Sequence, residues 1–281
     1  MAAKQRVAFQ GEVGAYSEEA IFQYFGNAVK TVPCRTLTDV FSVVERRQVD
    51  WGLVPIENSL EGSVVRTYDL FLTSRLKICG ETILRVIHCL ISNPGIDLPA
   101  VKTVYSHPQA LGQSREFLEA HAFDLIATYD TAGSVKMIKE QHLLDAAAIA
   151  SERAANVYAM QILARGIETN HHNYTRFFVI GNADAAATGR DKTSLVFSMQ
   201  HEPGALFRAL QIFAVREINL TKIESRPILN RPWEYHFYLD FEGHHTDPNV
   251  YEALAELRGS SSFSKVLGSY PRAKEHAVRD Q

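Results

Sequence analysis

Four short polar segments hold the side chains of this sequence best suited to joint chemistry. Pro55-Ile56-Glu57-Asn58-Ser59 ends an apolar run, while Ser106-His107-Pro108-Gln109 and Asp130-Thr131-Ala132-Gly133-Ser134 each open a helical pattern. Asn173-x-Thr175-Arg176-Phe177 is the fourth. Hydroxyl, amide and guanidinium groups donate hydrogen bonds and hold anions. In open α/β sheets, ligands bind beyond the carboxyl ends of the strands, where helix N-termini offer backbone N–H groups to negative charge. Each of the first three segments, taken alone, is an N-cap or a turn. Three at equivalent places point to one shared anion site. The fourth, taken alone, is a strand with one snorkelling arginine, Thr175 and Phe177 on one side and Arg176 on the other.

Signatures of other chemistry are missing. The sequence has no P-loop, no G-x-G-x-x-G, no H-E-x-x-H and no G-x-S-x-G. His171-His172 and His244-His245 are adjacent, lacking the i, i+4 spacing of helical metal ligands, so they read as loop residues. Gly11-x-x-Gly14 reads as a strand-to-helix turn. His107 is of a type that titrates near neutrality, and both an acid and a structural histidine fit it.

The elements that must position these groups alternate along the chain. Apolar runs at 6–10, 51–56, 77–92, 102–106, 125–128, 146–150 and 175–180 read as strands. Helical patterns lie between them: about 20–25, then to 48 from an N-cap at Thr38, 63–72, 108–120, 132–141 and onward from Ser151. That rhythm predicts an α/β domain with largely parallel sheet. After a small, polar linker at 182–191, Leu195, Phe197 and Met199 alternate with polar neighbours as a half-buried strand. A helix at 206–213, strands at 218–224 and 234–241, a helix at 250–257 and a strand at 263–270 complete a ferredoxin-like βαββαβ order.

Composition narrows the function classes. With 29 basic and 32 acidic side chains, the 281 residues carry a formal charge of -3, which excludes a chain-wide basic footprint for nucleic acid. The three cysteines have no C-x-x-C spacing, so a disulfide framework is not expected and a reducing cytoplasm fits. No apolar stretch nears the roughly 20 residues of a membrane span, and the N-terminus has no secretory h-region.

Six segments resemble the prephenate dehydratase family in order and spacing. They are Gly-Ala-Tyr-Ser-Glu-Glu-Ala (14–20), Val-Pro-Ile-Glu-Asn-Ser (54–59), Ser-His-Pro-Gln-Ala-Leu-Gly-Gln (106–113), Ala-Ala-Ile-Ala-Ser (147–151), Asn-Tyr-Thr-Arg-Phe (173–177) and Ile-Asn-Leu-Thr-Lys-Ile-Glu-Ser-Arg-Pro (218–227). The C-terminal part resembles an ACT domain, a regulatory amino-acid-binding module. With no helical chorismate mutase segment before 6, the resemblance is to the monofunctional form. It implies a catalytic domain at 1–181 with two lobes like a periplasmic binding protein, the first about 1–76 and 157–181 and the second about 77–156. An ACT domain at 192–271 and a polar tail at 272–281 follow.

The implied reaction converts prephenate to phenylpyruvate, water and carbon dioxide in phenylalanine biosynthesis, with no cofactor and no metal. Thr175, Arg176 and Phe177 would carry it. Ser17, Glu57, Asn58, Ser59, Ser106, His107, Gln109, Gln113, Thr131, Ala132 and Gly133 would hold substrate, although Asp130 stands where the family more often has a small hydroxyl residue. L-Phenylalanine would inhibit through Gly204, Ala205, Leu206, Glu224, Ser225, Arg226 and Pro227, with Glu224 to Pro227 closing the second strand of the ACT domain. The chain would form a homodimer or homotetramer without nucleic-acid or membrane partners. Arogenate as substrate, or a catalytically silent amino-acid sensor, are the alternative readings.

Overall fold

The structure, a computed structural model, describes residues 4–229 and 231–273. The expected tail therefore lies outside the described residues from 274 onward. In chain order the elements are β1 (Arg6–Gln10), α1 (Tyr16–Phe25), β2 (Lys30–Cys34), α2 (Leu37–Glu45), β3 (Trp51–Asn58), β4 (Gly62–Ser63), α3 (Val65–Thr73), β5 (Lys77–Arg85) and β6 (Cys89–Ser92). Next come β7 (Thr103–Ser106), α4 (Pro108–Gln113), α5 (Arg115–His121), β8 (Asp124–Ala127), α6 (Thr131–Glu140), β9 (Ala146–Ala150), α7 (Glu152–Tyr158), β10 (Gln161–Arg165) and β11 (Tyr174–Gly181). The last are β12 (Asp191–Ser198), α8 (Ala205–Ala214), β13 (Leu220–Ile228), β14 (Arg231–Glu242), α9 (Pro248–Ser260) and β15 (Phe263–Pro271). Among the described residues no helix is long and apolar enough to cross a membrane.

Two compact units form: residues 4–68 with 82–177, and 69–81 with 178–273. One sheet has the order β2-β1-β3-β11-β5, with β4 added to β3, and a second has β10-β6-β9-β7-β8. Val7, Phe9 and Leu53 fill the first at zero exposure, and Leu90, Val104, Ala147 and Ile149 the second. The chain passes to the second sheet after Arg85 and returns after Arg165. Those crossings replace the ones expected near 77 and 157, because β5 stays in the first sheet and β10 in the second. The second sheet is also less parallel than the alternation suggests: β7 runs parallel to β8 and β9, but β6 is antiparallel to β9 and β10. These two strands bring the chain in and out, and no βαβ crossover fixes their direction.

Local signals set the helix starts. Thr36, two residues before the expected cap, closes a capping box on α2: its Oγ1 accepts the Asp39 N–H at 3.1 Å, and Asp39 Oδ2 accepts the Thr36 N–H at 3.0 Å. The helix expected over 108–120 breaks at Ser114 into α4 and α5.

In the second unit the sheet order is β13-β14-β12-β15. Leu195 and Phe197 pack with Ala209, Phe213, Val250 and Leu257 from α8 and α9. The opposite face of β12 is buried too, against the half-buried expectation. Ser194 Oγ lies 2.5 Å from Asp240 Oδ1 and 2.7 Å from the Tyr270 hydroxyl, so polar side chains are paired inside. Segment 69–81 belongs to this packing. Lys265 Nζ donates to the carbonyls of Phe71 and Ser74 at 2.7 and 2.6 Å, and a Cβ on Gly268 would lie 2.2 Å from the Ile78 carbonyl oxygen. β13 runs on to Ile228, so Glu224 to Pro227 lie within the strand and do not close it.

All three cysteines are free thiols. Burial pushes Cys79 up to about 12 and Cys89 up to about 11, so both stay protonated at pH 8. Iodoacetamide at that pH is expected to label Cys34, the one partly exposed thiol, well ahead of the other two, with all three reacting in denaturant. Peptide mass spectrometry reads the order. Equal rates for Cys79 and Cys34 in the folded protein would contradict this packing.

Candidate active site

Asn58 ends β3, and the chain turns immediately after it. Its Oδ1 accepts the backbone N–H groups of Leu60 and Glu61, both at 3.0 Å. Two backbone donors on that oxygen settle which way the amide faces. The Nδ2 atom is therefore turned toward the start of β11. It donates to Asn173 Oδ1 at 2.8 Å and Thr175 Oγ1 at 3.0 Å, with the Tyr174 carbonyl at 3.2 Å. Because Thr175 Oγ1 accepts from Asn58, the threonine hydrogen is left to be donated elsewhere.

The network continues into the second sheet's residues. Asn173 Nδ2 donates to Gln113 Oε1 at 2.8 Å, and His88 Nε2 lies 3.0 Å from the same oxygen. His88 Nδ1 is 2.7 Å from the Tyr16 hydroxyl, and the His88 backbone N–H meets buried Glu168 at 2.8 Å. Burial lowers the His88 pKa, so the ring is neutral at physiological pH. Gln113 Nε2 reaches Glu61 Oε1 at 3.4 Å.

Other expected residues are engaged locally. Ser59 Oγ donates to the His172 carbonyl at 2.8 Å and accepts the Tyr174 N–H at 2.9 Å, lashing the end of β3 to β11. Ser106 is fully buried and donates to the Ile149 carbonyl at 2.7 Å. His107 caps α4, its Nδ1 accepting the Gln109 N–H at 3.3 Å, with Gln109 exposed. Ala132 and Gly133 lie buried in the first turn of α6 after Thr131, and Asp130 Oδ1 takes the Gly133 N–H at 2.8 Å. A carboxylate thus occupies that helix end, which the sequence reading leaves open to an anion. Ser17, Glu57 and Arg176 are partly exposed, and Phe177 is buried. So Asn58, Gln113 and Thr175 meet in one network, and Ser59 tethers it.

The Gly11-x-x-Gly14 turn has a second task beyond changing direction. A Cβ on Gly11 (φ 116°) would lie 2.9 Å from Asp130 Oδ2, and one on Gly14 (φ 95°) would lie 2.8 Å from the Ala154 Cα. Ser151 Oγ donates to the Gly14 carbonyl at 2.7 Å, and buried Glu18 pairs with Arg153 at 2.8 Å. The glycines let residues of the second sheet's helices approach the first.

Comparison with known proteins decides the family. Residues 7–185 match the family model for prephenate dehydratase, and residues 193–259 match that for the ACT domain. The chain belongs to the prephenate dehydratase family. Among its relatives, the bifunctional chorismate mutase/prephenate dehydratase of Aquifex aeolicus is 43% identical over 96% of this chain and 74% of its own. Arogenate dehydratase/prephenate dehydratase 2 of Arabidopsis thaliana, a chloroplastic protein, is 45% identical over 95% of this chain and 72% of its own. The prephenate dehydratase of Arthrobacter aurescens, solved with L-Phe, superposes with a TM-score of 0.87 at 33% identity, covering 98% of this chain and 94% of that one. GqqA, described as a novel type of quorum quenching acylase, superposes at 0.88 with 33% identity over 97% and 99%. The prephenate dehydratase fold, two-lobed and joined to an ACT domain, is thus shared across differently named proteins.

Sequence reasoning gave no role to Tyr16, Glu61, His88 or Asn173. Asn173 stands in the quoted Asn-Tyr-Thr-Arg-Phe segment, and His88 is the one imidazole in the apolar window 83–91. A titratable group inside an apolar run was the available signal.

Proposed function

We propose that the chain converts prephenate to phenylpyruvate, water and carbon dioxide, and that L-phenylalanine inhibits it through the second unit. The observation that carries this reading is the Asn58–Thr175 hydrogen bond, which leaves the Thr175 hydroxyl a donor. Loss of carbon dioxide pushes an electron pair into the ring while hydroxide leaves the opposite carbon, and aromatisation drives the step. The protein has to hold two carboxylates and assist a leaving hydroxide. Thr175 donates to that hydroxyl. A threonine is a weak acid, so its part is orientation and hydrogen bonding. Arg176 pairs with a carboxylate, Gln113 presents amide hydrogens, Phe177 walls the ring, and Ser17, Glu57, Ser59, Ser106, His107, Gln109 and the 131–133 turn shape the site. Three reduced thiols suit a cytoplasmic setting.

The resemblance to an acylase favours no second reading. Acyl transfer needs a nucleophile beside a base. Both His88 ring nitrogens are engaged, by Gln113 and Tyr16, and the neighbouring Cys89 thiol is held up to about 11. Arogenate keeps its place as alternative substrate because a relative bears that name. Comparing kcat/KM for prephenate and arogenate separates the two. A higher value for prephenate is expected, and a higher value for arogenate would reassign the substrate.

For the effector, Gly204 starts α8 in the left-handed region (φ 79°), beside Ala205 and Leu206. A cavity of about 120 Å³ lined by Ala205, Leu206, Trp233, Tyr235 and Phe237 opens there, suited to an apolar side chain. The Arg226 Nε on β13 is buried without a hydrogen bond, and with Glu224, Ser225 and Pro227 it supplies polar groups for an amino acid held between paired ACT domains of a homodimer or homotetramer. Gly204→Val places a β-branched residue at positive φ. It is expected to weaken phenylalanine binding at least about tenfold, a coupling-sized change, while uninhibited kcat stays unchanged. Titration calorimetry and inhibition curves check both halves. Removing the second unit outright is a poorer test, since segment 69–81 packs within it.

A further inference from the structure

The far end of the hydrogen-bond network holds two residues that the proposed reaction does not use. His88 is 2% exposed, and its ring meets Tyr16 edge-on with centroids 5.6 Å apart. The orientation of every group between Thr175 and this ring follows from two backbone amides. Leu60 and Glu61 N–H fix Asn58 Oδ1, so Asn58 Nδ2 faces Asn173 and makes the nearer Asn173 atom the oxygen. Asn173 must then present Nδ2 to Gln113, which places Gln113 Oε1 there. An oxygen 3.0 Å from His88 Nε2 requires the proton on Nε2. A neutral ring so protonated has its lone pair on Nδ1, so the Tyr16 hydroxyl, 2.7 Å away, gives its one hydrogen to that lone pair in preference to the Ile87 carbonyl at 3.0 Å.

Gln113 is the residue this arrangement controls. Its oxygen receives two donors, Asn173 Nδ2 and His88 Nε2, and its own NH₂ is thereby turned the other way, toward Glu61. Without His88 one of the two donors is lost, and the amide can rotate and point its oxygen where its hydrogens should be. We propose that His88, held in the Nε2–H form between the Gln113 oxygen and the Tyr16 hydroxyl, is a positioning residue that acts through Gln113 to keep the glutamine NH₂ facing the site. The inference rests on the proposed dehydratase reading for its kinetic effect but not for its geometry.

Two measurements on the whole 281-residue chain test it. In the unliganded protein, the ¹⁵N shifts of His88 are expected to show a protonated Nε2 and an unprotonated Nδ1, with a Tyr16→Phe variant altering the Nδ1 resonance. The opposite tautomer would overturn the proposal whatever the protein's activity. The second measurement is a kinetic cycle. His88→Leu is expected to lower kcat/KM for prephenate about tenfold, and His88→Gln, which can present an amide N–H near the Nε2 position, is expected to recover much of that loss. In a Gln113→Ala background, His88→Leu is expected to have no further effect. Losses that multiply fully in the double variant, with unchanged thermal midpoints, would show that His88 does not act through Gln113. Absence of turnover in the unsubstituted protein would instead refute the dehydratase reading and leave the tautomer result to judge this inference alone.

Discussion

Thr175→Ala is expected to lower kcat for prephenate roughly 10²–10⁴-fold, the range for a lost proton-transfer or oxyanion-type contact. KM is expected to change far less, because the hydrogen bond strengthens as negative charge builds on the leaving oxygen. The structural reason lies in the direction of one bond. Asn58 donates to Thr175 Oγ1 at 3.0 Å, so the hydroxyl hydrogen is not needed there and can be given to substrate. Thr175→Ser keeps the hydroxyl and is expected to retain most of the rate. Steady-state kinetics of phenylpyruvate formation decide it, and a near-normal kcat for the alanine variant would remove Thr175 from the reaction.

Asn58→Asp tests the same bond from its other end. The carboxylate can still accept the Leu60 and Glu61 N–H groups, so the turn after β3 is preserved. Its other oxygen, however, meets Asn173 Oδ1 and Thr175 Oγ1 where an NH₂ stood. The threonine hydroxyl then donates inward and is lost to substrate, and Asn173 is pushed off Gln113. A loss of at least about 10²-fold in kcat is expected from this reversal. Asn58 is 8% exposed, so a buried charge is also expected to lower the melting temperature. Circular dichroism at the assay temperature shows whether the variant remains folded. Adding Thr175→Ala to Asn58→Asp is expected to cost little more, since both changes remove one interaction. Full multiplication of the two losses would mean that the residues act independently.

Much of the scaffold was legible because it is written in local patterns. Apolar runs located β1, β3, β7 and β9, and alternation located the strands of the second unit. β2 and β10 escaped because their residues are neither periodic nor strongly apolar: Lys30-Thr-Val-Pro-Cys34 carries a proline on a sheet edge. The hydrogen-bond network around Thr175 was legible in part. Asn58, Gln113 and Thr175 are 55 and 62 residues apart in sequence, and no spacing rule joins them; only the family resemblance grouped these residues, which the fold links through Asn173. Residue type alone misjudged the availability of the others. Ser59 and Ser106 carry the same hydroxyl as Thr175, yet each is bonded to backbone, and that depends on tertiary contacts that a sequence pattern does not encode. His88 was hidden by its apolar neighbours, and its tautomer follows from a chain of amides beginning at Leu60 and Glu61.

The most direct test of the account is turnover itself. The purified 281-residue chain given prephenate at neutral pH is expected to release phenylpyruvate and carbon dioxide in equal amounts, and to do so more slowly when L-phenylalanine is added. Phenylpyruvate absorbance and captured carbon dioxide measure the two products. Binding of L-phenylalanine with no turnover of prephenate or arogenate would contradict the account and leave the chain a sensor of amino acids.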